Sequence, residues 1–321
     1  MFEAFLRILT VAFVAVGATL AHAAYPDKIV KLIVPYPPGS PIDLTARVLA
    51  DGLQKHFKEG VIVENKPGAS GAIAGDLAAR SPADGYTILV ANTDVLAINP
   101  LLVKGLRYEP EKFEPIGMVG RVPGILCVRS SLDVKSATEL IVYAQKNPGA
   151  VSYGSWGNGS LGNLAGALME STSGISMLHV PYAGAAPALQ ALMGGQVDLM
   201  FVAVPLAAHQ VKAGRIRMLG AMGSKRIAEL PDLPTLAEQG FKNYEWETWI
   251  ALVAPQGTPA AILEVLNKEV NAVVADPASI AKLRDAGIET ESGPRGKVTD
   301  LAQRSRERWR ALISEKGIRI D

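Results

Sequence analysis

The chain has 321 residues, 49% of them hydrophobic and 20% charged, room for about two domains with sizeable cores. Its 32 Lys and Arg nearly balance 31 Asp and Glu, for a net charge of +1, which excludes the basic footprint of a nucleic-acid binder or of a protein held on an anionic membrane surface. A lone cysteine, Cys127, excludes a disulfide within the chain.

Arg7 gives a weakly basic start, an apolar run covers residues 8–20, and Ala21-His22-Ala23 fits a small-residue cleavage site. The run falls short of the ~20 apolar residues that span a bilayer. Residues 1–23 are therefore expected to be a cleaved signal peptide and the rest an exported protein. From residue 29, strand and helix signals alternate. Residues 29–34 form an apolar run without alternation, as in a strand buried on both faces. Pro35-Tyr36-Pro37-Pro38-Gly39 ends it; Ser40 and Pro41 then start a helix as N-cap and first residue, with Asp43 in the first turn. A strand over 61–64, the turn Asn65-Lys66-Pro67-Gly68, a small-residue helix over 72–80 and a strand over 86–91 follow. Cys127 lies in the apolar run 124–128 and reads as a buried structural thiol. Ser136-Ala137-Thr138-Glu139 predicts a capping box for a helix that Asn147-Pro148-Gly149 stops. Strands over 151–154, 177–181, 197–201 and 216–219 alternate with helices from 161, over 186–193 and over 206–213; helices over 259–275, 277–286 and 298–315 close the chain. This order predicts an α/β fold of two lobes, each a mostly parallel sheet with helices on both faces. No linker composition separates them, so chain crossings are expected near 121–124 and 245–253. One lobe then comprises 24–124 and 248–321, the other 125–247.

Ligands of open α/β sheets sit at the carboxyl ends of the strands, which singles out the loops 35–43, 92–94, 155–162 and 182–187. Gly157-Asn158-Gly159-Ser160-Leu161-Gly162 fits a dinucleotide fingerprint, but the place for the ribose-binding acid holds Pro181-Tyr182. A helix N-terminus facing an anion is the simpler reading. Ser155 and Ser70 each miss one glycine of a nucleophile elbow, and Ser279-Ile280-Ala281-Lys282 lies inside a predicted helix without companion motifs. His56, His179 and His209 are widely separated and lack metal-ligand spacing; His179 reads as a satisfied core histidine. Asp43 and Asp94 form a carboxylate pair only if their loops meet; a first-turn charge and a turn residue are the plainer readings. No nucleophile–base pair, cofactor site or metal site is legible. What remains is a set of glycine- and hydroxyl-rich loops without Lys or Arg, whose helix N-terminal amides suit a small carboxylate.

Leu32-Ile33-Val34-Pro35-Tyr36-Pro37-Pro38-Gly39, Val63-Glu64-Asn65-Lys66-Pro67-Gly68-Ala69, Ala97-Ile98-Asn99-Pro100, Tyr153-Gly154-Ser155-Trp156-Gly157-Asn158-Gly159-Ser160 and His179-Val180-Pro181-Tyr182 stand in an order and spacing that resembles the Bug-type receptors of tripartite tricarboxylate transporters, from about residue 25 to the end. The resemblance implies a periplasmic clamp whose lobes close on a small carboxylate held mostly by backbone amides, hydroxyls and ordered waters. Carried over by position, Tyr36, Gly39, Ser40 and Asp43 form the first ligand loop, with Asn92, Thr93 and Asp94 beside it. Ser155, Asn158, Gly159 and Ser160 form the facing loop, next to Tyr182, Gly184 and Ala185. Ser40 stands where a second glycine is usual, Ala183 where Lys or Arg is common, Asn163 where His is frequent and Val202 where an Asp is usual. These departures imply a less charged second lobe, and a mono- or dicarboxylate with an apolar or aromatic body. The implied partners are the membrane permease subunits of such a transporter, with the receptor a monomer. A ligand-loaded partner of a membrane sensor kinase is the alternative, and a secreted enzyme on the same fold is a further one.

Overall fold

The computed structural model describes residues 25–223, 225–241, 244, 247–316 and 318. The expected signal peptide lies outside them. In chain order the elements are β1 (Val30–Val34), α1 (Pro41–Leu53), β2 (Val61–Asn65), α2 (Ala72–Ala79), β3 (Thr87–Asn92), a π-helical turn (Asp94–Ile98), α3 (Asn99–Leu102), β4 (Glu114–Arg129), α4 (Ala137–Lys146), β5 (Ser152–Ser155), α5 (Leu161–Ser173), β6 (Leu178–Pro181), α6 (Ala185–Met193), β7 (Leu199–Ala203), α7 (Val204–Lys212), β8 (Ile216–Ala221), β9 (Glu247–Ala254), α8 (Ala260–Ala275), α9 (Pro277–Asp285), β10 (Glu289–Thr290) and α10 (Gly296–Lys316).

The helix starts follow their capping residues. The Ser40 hydroxyl accepts from the Asp43 amide at 3.2 Å, and Ser160 does the same for Asn163 at 3.3 Å. At α4 the Ser136 hydroxyl accepts from the Glu139 amide at 3.1 Å, but Glu139 bonds the Lys135 amide at 2.7 Å rather than closing the box on Ser136.

In the first lobe β1 pairs parallel with β2 and β3, and β9 enters antiparallel between β3 and β4. In the second, β5 pairs parallel with β6 and β7, while β7 and β8 lie antiparallel on β4. The 16-residue β4 thus serves both sheets. Its first part, Glu114 to Pro123, runs beside β9, and Gly124 to Val128 runs beside β7. The expected crossing at 121–124 lies within this strand. Register shifts near Pro115–Gly117 and Met118–Gly120 mark where proline and glycine interrupt its ladder.

Each sheet is covered on both faces. Leu32, Ile88 and Leu252 pack against Leu49 of α1 and Leu266 of α8; on the other face Ile33, Leu89 and Trp249 meet Val298 and Leu301 of α10. In the second lobe Leu126, Tyr153 and Phe201 pack on Leu164 and Met169 of α5. Opposite them, Cys127 and Met200 pack on Leu192 of α6 and Ala207 of α7. Cys127 is buried, and burial raises its thiol pKa. The last helix is shared: Val298 belongs to the first lobe's core, whereas Trp309 and Leu312 join the second's.

Tyr153 lies so close to α5 that a Cβ on Gly166 would come within 2.2 Å of its ring. Alanine in a helix interior normally stabilises by about 1 kcal/mol relative to glycine. Here overpacking dominates, and Gly166→Ala is expected to cost about 2 kcal/mol in urea unfolding.

Candidate functional site

The loop after β1 is pinned from behind by Asp43. This carboxylate is 1% exposed and accepts from the Gly39 amide at 2.9 Å, from Asn65 Nδ2 at 2.9 Å, and from Arg47 through Nε at 3.0 Å and Nη2 at 3.1 Å. Burial would raise its pKa, but Arg47, the Gly39 amide and Asn65 together hold it below the ordinary value. Gly39 takes a φ of +82° to make the turn. Asn65 Nδ2 also donates to the Tyr36 carbonyl at 2.9 Å. The sequence marks Asn65 only as a turn residue; its role depends on β2 lying in register beside β1, with Val34 opposite Asn65.

Tyr36 turns its hydroxyl onto Asp94 Oδ2 at 2.6 Å. Asn92 Nδ2 donates to the Tyr36 hydroxyl oxygen at 3.1 Å and to the same Asp94 oxygen at 3.4 Å. Asp94 is 4% exposed. Burial raises its pKa to about 6, even though Tyr36, Asn92 and the backbone amide of Leu161 favour the charged form. Among the described residues, no group meets its Oδ1 at hydrogen-bonding geometry. Leu161 is the first residue of α5, so the Asp94 carboxyl is where the loops of the two lobes meet. Asp43 and Asp94 lie in this one loop cluster, each with its own donors. Thr93 faces the other way, accepting from the Trp249 amide at 3.1 Å.

The facing turn holds itself together. Gly157 and Gly159 have φ of +130° and +68°, and the Gly159 amide donates to Asn163 Oδ1 at 3.0 Å. The Ser160 hydroxyl donates to the Gly157 carbonyl at 2.7 Å while capping α5. Ser160→Ala is accordingly expected to lower stability by about 1 kcal/mol in urea unfolding. Asn158 is exposed. Tyr182 is half-buried, and its amide donates to the Ser155 carbonyl at 2.9 Å. Gly184 and Ala185 begin α6 beside it. Val202 is 1% exposed and packs with Leu192 and Met200 in the second lobe's core.

One expectation needs correction. The sequence displays no nucleophile–base pair, yet Ser155 Oγ lies 2.7 Å from His179 Nε2. The parallel pairing of β5 with β6 places them together, with Tyr153 opposite His179. The pair serves the turn. Ser155 is fully buried, its Oγ lies 3.0 Å from the Gly157 carbonyl, and it accepts from the Gly157 amide at 3.2 Å. His179 stacks on Tyr153 with ring centroids 4.8 Å apart, and burial lowers its pKa, which favours the neutral ring.

Arg47, on α1, is held by Asp43. Two surface grooves lie elsewhere: one of about 610 Å³ beside β8 and residues 229–233, the other of about 450 Å³ between Glu114 and Arg295. Among the described residues, no helix is long and apolar enough to cross a membrane.

Two α/β lobes joined through β4 and β9, with strand-end loops of both meeting at one seam, define a solute-binding protein of the periplasmic type. The chain belongs to the tripartite tricarboxylate transporter receptor family, whose model matches residues 45–318. It is similar to the solved structure of R. palustris Rpa4515 with adipate, at 35% identity and TM-score 0.85 over 92% of this chain and 99% of that one. The periplasmic binding protein BugD is 34% identical with TM-score 0.82, over 92% and 99% of the two chains. MatC (Rpa3494) from Rhodopseudomonas palustris with bound malate is 28% identical with TM-score 0.79, over 90% and 100%. The family and these neighbours are solute-binding proteins, not enzymes.

Proposed function

We propose that the protein is an extracytoplasmic receptor that holds a small carboxylate between its lobes, at the seam formed by Tyr36, Asn92, Asp94 and the turn 155–160, and delivers it to the membrane permease subunits of a tripartite tricarboxylate-type transporter. The observation that carries this reading is the convergence on Asp94 of the Tyr36 hydroxyl from one lobe and the Leu161 amide from the other. A ligand seated there touches both lobes, and binds their closed arrangement better than the open one. Tyr36, Gly39, Ser40 and Asp43 shape one wall, and Ser155, Gly159, Ser160 and Tyr182 the other. The lobes in this reading are 24–124 with 248–321, and 125–247; the receptor acts as a periplasmic monomer. The adipate and malate bound by relatives support a carboxylate ligand and are the first compounds to try. Either should raise the melting temperature in proportion to the logarithm of its concentration, the stabilisation reaching about 2.7 kcal/mol at one hundred times Kd. A broad carboxylate panel that leaves the melting temperature unmoved would remove the reading.

A further inference from the structure

Asp94 has no role in holding the fold that a neutral side chain could not fill. Its Oδ2 is satisfied by Tyr36 and Asn92, while Oδ1 is buried without a partner at hydrogen-bonding geometry among the described residues. It also faces the first amide of α5, and in the receptor reading this helix start is the seat of the ligand's anion. An ionised Asp94 and a ligand carboxylate cannot share that seam without repulsion, and two carboxylates in one site raise each other's affinity for a proton. A protonated Asp94, by contrast, donates its O–H to the ligand.

We propose that Asp94 carries a proton in the ligand-bound state, so that each carboxylate bound near neutral pH is accompanied by the uptake of one proton. The inference rests on the carboxylate-receptor reading.

Among the described residues, the titratable groups around Asp94 are neutral or already paired. Tyr36 and Tyr108 have their pKa raised by burial and stay neutral; the Tyr108 hydroxyl donates to the Val95 carbonyl at 2.8 Å. On α1, Arg47 is bound by Asp43. On α10, Arg306 donates to the Leu96 carbonyl at 2.9 Å and pairs with Glu111 at 3.3 Å. The first turn of α5, Leu161 to Leu164, contains no titratable side chain. The free carboxyl already sits near pH 6, and a neighbouring anion moves it upward through the physiological range.

The test is isothermal calorimetry of the full chain with adipate and with malate, at pH 6, 7 and 8, each in two buffers of different ionisation enthalpy. The expected result is uptake of close to one proton per ligand at pH 7, with Kd rising towards tenfold per pH unit above 6. In Asp94→Asn the Kd should stay level across that range. Binding without proton uptake overturns this inference and leaves the receptor reading intact, as does proton release, which with malate would assign Asp94 as a charged acceptor for the ligand hydroxyl. Absence of binding by these two probes and by every other member of the carboxylate panel, at every pH, overturns the inference together with the carboxylate reading on which it rests. The proton count is read on the natural sequence, so it decides the matter even where Asp94→Asn does not fold.

Discussion

Trp249→Ala is expected to lower the unfolding free energy by about 4 kcal/mol, within the range of large-to-small core changes at buried aromatics. The indole is 1% exposed and packs with Leu89, Met118, Val298 and Leu301. Its Nε1–H donates to Ser305 Oγ at 3.2 Å. Truncation therefore leaves a cavity and removes a hydrogen bond to α10. The same residue's amide holds Thr93, next to Asp94, so the loss reaches the seam as well. Trp249→Phe keeps most of the apolar volume and should cost about half as much, whereas Ser305→Ala should cost about 1 kcal/mol or less. Urea unfolding followed by circular dichroism measures all three. A loss below about 1.5 kcal/mol for Trp249→Ala would mean that α10 closes over the gap.

As pH rises from below about 4 to above about 6, the ligand-free protein should lose about 3 kcal/mol of stability relative to Asp94→Asn. The carboxyl's pKa is raised from its ordinary 3.8 to about 6 in the fold, chiefly by burial. The folded state therefore holds more protons than the unfolded chain in that window, and stability present below pH 4 is lost as pH rises through 6. His179 works in the opposite direction. Burial lowers its pKa, so the folded state binds fewer protons and stability falls as pH drops below about 6.5. Subtracting the profile of Asp94→Asn from that of the natural sequence cancels the histidine. Urea unfolding at unit pH steps from 4 to 8 should give a difference that grows to pH 6 and stays level above it. A flat difference would place the ionised carboxyl in contact with water.

The alternation of apolar runs with capped helices made the βα units legible, because Ser40 and Ser136 are read locally and the structure uses each as a cap. The full length of β4 was not. Pro115, Gly117, Gly120 and Pro123 break the local strand signal ahead of the apolar run 124–128, and the full strand exists because β9 and β7 pair with it from distant parts of the chain. The site shows the same division. Strand-end loops could be named from the sequence, whereas the meeting of Asp94 with Leu161, of Asn65 with Tyr36 and of Ser155 with His179 depends on sheet register and on how the lobes face each other.

The pairing of β4 with β9 continues to the point where both leave the first sheet, with Pro123 opposite Glu247. Cross-strand neighbours lie about 5 Å apart, so everything between these two residues hangs from the rest of the chain by adjacent stems. That is the geometry of a cassette. The segment can be exchanged as a unit with its counterpart from a relative, the two splice points being neighbours in space although 124 positions separate their numbers. Such a chimera should also bring the donor's equivalents of Trp309 and Leu312, which belong to the cassette's core although α10 carries them. Hybrids built in this way would assign ligand preference to one wall of the seam or to the other.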